Sequence, residues 1–279
     1  MKKITKITAV ILAIVMTVFA FASCGGSGKE EESSTEGASG SSSGKVWVIA
    51  SDNAFAPFEF LDSDSGKYIG IDMDIMAAIA EDQGFQYKIN NIGFDAAMSA
   101  VQSNQADGVI AGATITDERK KSYDFSDGYF DAGQAIVVAA DSDIKSIEDL
   151  NGKTVAAKAS TAGATYAQSV ADKYGFKVTI LEDSPTMYQG VMQGQYAACF
   201  EDEPVARYSI VSQKLSLKVI GDTINPAQYG FAVKKGQNTD LLNMFNAGLA
   251  DIKANGKYDE ILAKYGYNTT SDSESSTVA

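Results

Sequence analysis

The sequence predicts an α/β fold arranged as two units, and three observations carry that prediction. Strand-like and helix-like patterns alternate from Lys45 onward, and the alternation restarts near Gly133 with a long apolar strand. Each half then spans roughly a hundred residues, an ordinary domain size. The chain has 279 residues, 45% of them hydrophobic and 21% charged, which is ample material for a core.

In the first half, KVWVIA (Lys45–Ala50) reads as a buried strand. Asp72–Gln83 has helical apolar spacing behind an aspartate cap, with Gly84 as the stop. Gln86–Asn90 reads as a strand, Asp95–Gln102 as a helix and Gly108–Ala111 as a strand. The second half opens on GQAIVVAA (Gly133–Ala140), followed by a short helix at Ile147–Leu150. A strand TVAAK, a helix Thr161–Tyr174, a strand KVTIL and a helix Met187–Gln193 come next. After the strand AACFE and the helix Pro204–Gln213, QYGFAVKK returns to a strand, and Thr239–Ala254 and Tyr258–Tyr265 close the fold as helices. Strands separated by helices imply mainly parallel pairing. The polar tail, Asn268–Ala279, has nothing to bury and reads as disordered.

Composition excludes several classes of function. The net charge of −13 argues against nucleic acid or an anionic membrane surface as partner, since both recruit basic patches. The chain contains no histidine, which removes Ser-His and Cys-His nucleophile pairs and histidine zinc sites together. No Gly-rich phosphate loop follows a strand, so a nucleotide-binding oxidoreductase is not expected.

The N-terminus has the layout of a secretory signal: Lys2, Lys3 and Lys6, then the apolar stretch Ile7–Phe21, closing on Phe21-Ala22-Ser23-Cys24. Small residues before a cysteine resemble the bacterial lipoprotein signal, which makes residues 1–23 a leader and Cys24 the lipidated first residue. Phe21 departs from that pattern, which prefers leucine; an ordinary signal cut nearby is the alternative. Residues 24–44, rich in Gly, Ser and Glu, form an expected tether of about 20 residues spanning roughly 25 Å. Cys199, in the apolar run Tyr196–Phe200, reads as a small core residue.

One charged residue stands out. Arg119 is one of two arginines in the sequence and follows the stretch AGATITDE, Ala111–Glu118. A charge run is most often a solvated surface. The sharper reading is a carboxylate held by the guanidinium fork, which lysine cannot match.

Four stretches decide between them: SDNAFAPFEF (Ser51–Phe60), YIGIDMD (Tyr68–Asp74), AGATITDER running on to YDFS (Ala111–Ser126), and EDEP (Glu201–Pro204). In this order and spacing the chain resembles the solute-binding proteins of polar amino-acid ABC uptake systems, glutamine-binding proteins above all, from about Val46 to Tyr265. The resemblance implies a two-lobed periplasmic-binding-protein fold of type II, with two hinge strands and a ligand in the cleft. Lobe 1 would comprise 45–133 and 227–267, and lobe 2 would comprise 134–226.

The resemblance also implies roles. Arg119 takes the carboxylate of a free amino acid, helped by backbone N–H groups near Thr114 and Ala162 and by the helix start after Ser160-Thr161-Ala162-Gly163. Asp202, the Gly112 carbonyl and the Thr114 hydroxyl take the ammonium, and Ala111 belongs to the same turn. Phe55 and Phe94 wall the ligand side chain, Asp52 meets its end, and Lys158 and Glu201 face the pocket. Without the resemblance, the same residues read as core phenylalanines, a helix cap at Asp202 and a turn former at Asp52. Glu201 is a departure, because glutamine-binding relatives carry histidine there. A Lys158–Glu201 ion pair would leave the pocket polar and near neutral, favouring glutamine, with arginine or lysine as runner-up.

The expected protein is therefore an extracytoplasmic, lipid-anchored monomer that delivers an amino acid to an ABC permease. It would have no cofactor, metal or catalytic residue. An exported dehydratase on the same scaffold, with Glu201 as its acid, and a sensor domain are the competing readings. The amino-acid set of Asp52, Arg119 and Asp202 disfavours the first, because it includes a site for an ammonium and a keto-acid substrate has none.

Overall fold

The computed structural model describes residues 44–267. The expected signal, the tether with Cys24 and the tail lie outside the described residues. Among the described residues no helix is long and apolar enough to cross a membrane.

The chain opens with β1 (Val46–Ser51), then a small antiparallel sheet of β2 (Ala54–Phe55), β3 (Glu59–Leu61) and β4 (Tyr68–Ile69). Helix α1 (Ile71–Gln83) starts behind Gly70 and stops at Gly84, whose left-handed conformation suits glycine. Gly70 has no room for a side chain, since a Cβ there would lie 2.0 Å from the Phe58 carbonyl oxygen. β5 (Gln86–Asn91), α2 (Phe94–Gln102), β6 (Gly108–Val109) and β7 (Tyr123–Phe125) complete this stretch.

The long strand β8 (Phe130–Ala139) leads to a 3-10 turn, Ile147–Leu150, with a Ser146 capping box. It is followed by β9 (Thr154–Lys158), α3 (Ala162–Tyr174), β10 (Lys177–Leu181), α4 (Ser184–Met192), β11 (Ala198–Asp202) and α5 (Glu203–Ser212). The chain then returns along β12 (Leu217–Tyr229) to β13 (Ala232–Lys234), α6 (Thr239–Ala254) and α7 (Lys257–Lys264).

Two five-stranded sheets result, ordered β5-β1-β6-β13-β7 and β10-β9-β11-β8-β12. The chain passes from the first to the second through β8 and comes back through β12. These two strands pair antiparallel from Leu217↔Ala139 to Tyr229↔Phe130. The expectation of mainly parallel pairing is corrected. In each large sheet two neighbour pairs are parallel and two antiparallel, because one strand, β13 in the first and β8 in the second, runs against the other four.

Other differences have local causes. Asp72 does not cap α1, which begins one residue before it. α4 begins at Ser184 rather than Met187, because Asp183 accepts the Thr186 N–H at 2.7 Å and Pro185 fits a first turn. QYGFAVKK is divided between β12 and β13, and β12 reaches back to Leu217 through Gly221 and Pro226. Both residues read as turn formers, yet β12 lies at a sheet edge, where proline is tolerated.

The cores sit between the sheets and their helices. In the first, Phe231 is fully buried, stacks on Phe245 at 4.6 Å and leaves Gly108 no room for a Cβ. In the second, Phe200 stacks on Phe176 at 5.8 Å, and Cys199 is a buried free thiol. Phe231→Ala should lower the unfolding free energy by about 3–5 kcal/mol, measured by urea unfolding. A loss below about 1 kcal/mol would mean that this stacked pair does not anchor the first core.

Candidate functional site

The sequence-predicted residues gather where the strands of the two large sheets end. From the first, Asp52 follows β1, Phe55 lies in β2, Phe94 opens α2, and Ala111, Gly112 and Thr114 follow β6. Arg119 begins a single 3-10 turn, Arg119–Lys121. From the second, Lys158 ends β9, Ala162 opens α3, and Glu201 and Asp202 end β11. Carboxyl ends of strands in open α/β sheets are the usual place for a ligand crevice.

Side chains from the two sheets meet here. The Lys158 ammonium pairs with Asp52, and both side chains are 2% exposed. The other Asp52 oxygen accepts the Asn53 N–H at 2.7 Å. Lys158 Nζ also stands 4.8 Å from the centre of the Phe55 ring and 5.8 Å from that of Phe94. The expected Lys158–Glu201 pair is thus corrected to Lys158–Asp52. Glu201 is satisfied locally instead, accepting the Asp202 N–H at 2.9 Å and the Tyr188 hydroxyl at 3.2 Å. Burial, then the neighbouring Asp202 charge, pushes the Glu201 carboxyl up to about 7.

Arg119 forms the second link. Its Nη1 donates to the Thr114 carbonyl at 2.7 Å and its Nη2 to the Ser160 carbonyl at 2.9 Å. Those acceptors follow β6 and β9, one from each sheet. The guanidinium lies 5.1 Å from the Phe94 ring, so Phe94 has a cation near it from either side of the cleft. Ser160, held at φ 61°, donates its hydroxyl to Asp95.

Asp202 occupies the cap position of α5 but makes no capping bond there. The Tyr229 hydroxyl donates to it at 2.6 Å. Burial raises the Asp202 carboxyl above the usual range, while the Tyr229 bond and Arg119 pull the other way. Helix α3 starts behind Thr161, whose hydroxyl accepts the Ala164 N–H at 3.1 Å. The N–H groups of Ala162 and Gly163 have no intrahelical acceptor and can meet an anion.

Gly112 adopts φ 52°, and a Cβ on it would lie 2.4 Å from the Phe55 ring. Its turn is therefore built around that ring. The Ala111 side chain is fully buried in the core beside Phe94 and Ala97, so only its backbone borders the turn. Phe55 and Phe94, at 4% and 5% exposed, are core residues as well as neighbours of Lys158.

Sequence reasoning missed Tyr188 and Tyr229, and it took Ser160 only as part of the helix start. Tyr229 carried one signal, a polar-tipped aromatic beside Gly230 in the returning strand QYGFAVKK. Ser160 acts through its carbonyl, which has no residue-type signature.

Removing one partner of the sealed pair leaves an unpaired buried charge. Lys158→Met or Asp52→Asn alone should cost about 3–5 kcal/mol of stability, and the double variant should recover most of it. Thermal unfolding of the four proteins tests this. Additive losses would show that the two side chains do not act as a pair.

The bacterial extracellular solute-binding proteins, family 3, match residues 47–268. The glutamine-binding protein GlnH of an ABC transporter in Bacillus subtilis (strain 168) is 32% identical over 276 residues, 95% of this chain and 97% of that one. Among solved structures, substrate-binding domain 2 of Lactococcus lactis GlnP in an open conformation is 45% identical, covering 80% of this chain and 96% of the other, with a TM-score of 0.56. An ancestral arginine-binding protein bound to arginine is 39% identical, covering 79% and 97%, with a TM-score of 0.73. With its α/β sheets, its two-lobed neighbours and a match over most of its length, the chain belongs to the bacterial extracellular solute-binding proteins of family 3, a family of amino-acid-binding proteins.

Proposed function

We propose that the chain captures a free polar amino acid, glutamine first, between lobes formed by 45–133 with 227–267 and by 134–226. It then delivers the amino acid to an ABC permease. The observation that carries the choice of ligand is the sealed Asp52–Lys158 pair against the rings of Phe55 and Phe94. A fixed ammonium repels a cationic ligand side chain, and its carboxylate partner disfavours an anionic one. A primary amide donates and accepts at once, so it suits a paired charge that is neutral as a whole. The two rings then hold the aliphatic stem. Arg119 and the N–H groups of Ala162 and Gly163 receive the ligand carboxylate, while Asp202, Thr114 and the Gly112 carbonyl receive its ammonium.

A basic ligand is the second reading. Glu201 and Asp202 add negative charge beyond the Asp52–Lys158 pair, and one well-overlaid neighbour binds arginine. Calorimetry with L-glutamine and L-arginine separates the two. Glutamine should bind at least about tenfold more tightly, a difference of about 1.4 kcal/mol. Tighter arginine binding would overturn the ranking. In the same assay Arg119→Lys should cost about 2–4 kcal/mol of binding, because a point charge cannot replace the planar fork.

The anchor is proposed to be Cys24. Cys24→Ser should move the protein from the membrane fraction to the soluble extracytoplasmic fraction with ligand binding unchanged. Identical fractionation of the two proteins would remove the lipid anchor from this account.

A further inference from the structure

Behind the Gly112 turn lie two carboxyl groups for which amino-acid binding has no use. Glu59 and Asp72 are both 0% exposed. Asp72 Oδ2 accepts the Gly112 N–H and the Tyr129 hydroxyl, each at 2.8 Å. With both groups ionised, Asp72 Oδ1 and both Glu59 oxygens would lack any donor. Yet the Asp72 N–H donates to the carbonyl of Phe58, the residue before Glu59, at 3.0 Å, so the backbone sets the two buried acids beside each other. Two carboxylates facing each other in a sealed site repel, and neither can donate. One proton between them turns repulsion into a hydrogen bond and supplies the missing donor.

We infer that Glu59 and Asp72 hold one proton between them and act as a positioning pair, the protonated Glu59 orienting the Asp72 carboxylate that fixes the Gly112 turn. The proton belongs on Glu59, because Asp72 already receives two donors whereas neither Glu59 oxygen has one among the described residues. Burial, then the charges of Asp72 and Asp52, holds the Glu59 carboxyl well above the usual range, with Lys158 opposing. Asp72 is pushed up to about 6 by burial, against its bonds to Gly112, Glu59 and Tyr129. Tyr129, raised by burial and by both carboxyls, remains a donor.

The pair grips both sides of one contact. Asp72 holds the Gly112 backbone, and Glu59 stands opposite Phe55 across the β2–β3 hairpin. Phe55 in turn packs where a Gly112 side chain would be. A change at the pair therefore reaches the cleft through the turn and the ring together. The inference rests on the proposed placement of Gly112 and Phe55 in the amino-acid site.

The test compares the full chain with Glu59→Gln and Glu59→Leu, by thermal unfolding from about pH 4 to pH 9 and by calorimetry with L-glutamine and L-arginine. A carboxyl raised in the folded state stabilises fully below its unfolded pKa, about 4.3, and that contribution is lost as pH rises through the folded value. The wild-type midpoint should therefore fall with rising pH more steeply than that of Glu59→Gln, whose amide donates without titrating. Glu59→Gln should bind within about threefold of wild type, and Glu59→Leu at least about tenfold more weakly. Equal pH slopes for wild type and Glu59→Gln would overturn the shared proton. Wild-type binding by Glu59→Leu would overturn the positioning role. Should Glu59→Leu fail to fold, the slopes and the binding of Glu59→Gln still decide. If wild type binds neither amino acid, the site reading falls and the positioning role with it, while the slopes still judge the proton.

Discussion

A nearly water-free ammonium needs an anion, and Lys158 finds its anion on the other sheet. Among the described residues neither Lys158 nor Asp52 has a second charged partner within salt-bridge distance, so the pair makes the placement of the two sheets a condition of burying either charge. Such pairs add little net stability, because desolvation offsets most of the attraction. What this one supplies is selection among arrangements: a separated cleft must rehydrate both charges. The Arg119 fork adds a second constraint, since its two carbonyl acceptors come from turns on different sheets.

The region around the cleft is acidic, as the net charge of −13 suggests, and each buried carboxyl is accommodated differently. Asp52 has an ion pair. Asp202 has the Tyr229 hydroxyl and the nearby guanidinium. Glu201 relies on a raised pKa, about 7, so near neutral pH it is partly protonated and its charge weakens further on acidification. Glu59 and Asp72 share a proton. These solutions leave Lys158 and Arg119 as the fixed positive groups of the site, which is why the ammonium at Lys158 weighs so heavily in the choice of ligand.

Much of this was legible in the sequence, and the failures have a common form. Helices with clear stops, such as those ending at Gly84 and Gly175, were read to within a residue or so because a left-handed terminal glycine is a local signal. The strands TVAAK, buried along nearly its whole length, and KVTIL, a half-exposed edge strand, were equally plain. What escaped was non-local. β12 is held by β8 despite its own glycine and proline, and two-residue strands such as β2 exist only through their partners. In the candidate site, residue type singled out Arg119 and the resemblance supplied Asp202 and Gly112, whereas the partner of Lys158 could not be inferred from spacing. Lys158 and Glu201 end neighbouring strands, so an ion pair between them was the simplest guess. Tyr188 on α4 satisfies Glu201, and Asp52 arrives only when the chain has folded back on itself.

The two connecting strands are also more than tethers. Tyr129 immediately precedes β8 and donates to Asp72, beside the Gly112 turn. Tyr229 ends β12 and donates to Asp202, at the end of β11 in the second sheet. The Tyr129 N–H and the Tyr229 carbonyl are themselves bonded at 2.9 Å, and Tyr229 bridges to Thr114. Each crossing therefore carries a hydroxyl bonded to one buried aspartate, Asp72 behind the Gly112 turn or Asp202 in the candidate site, and the two crossings are joined by backbone. A rotation of one sheet against the other must strain these contacts or exchange them for water. In this geometry the groups that would recognise an amino acid and the segments about which the lobes would turn are one hydrogen-bonded network, so occupancy of the cleft and its closure cannot be independent.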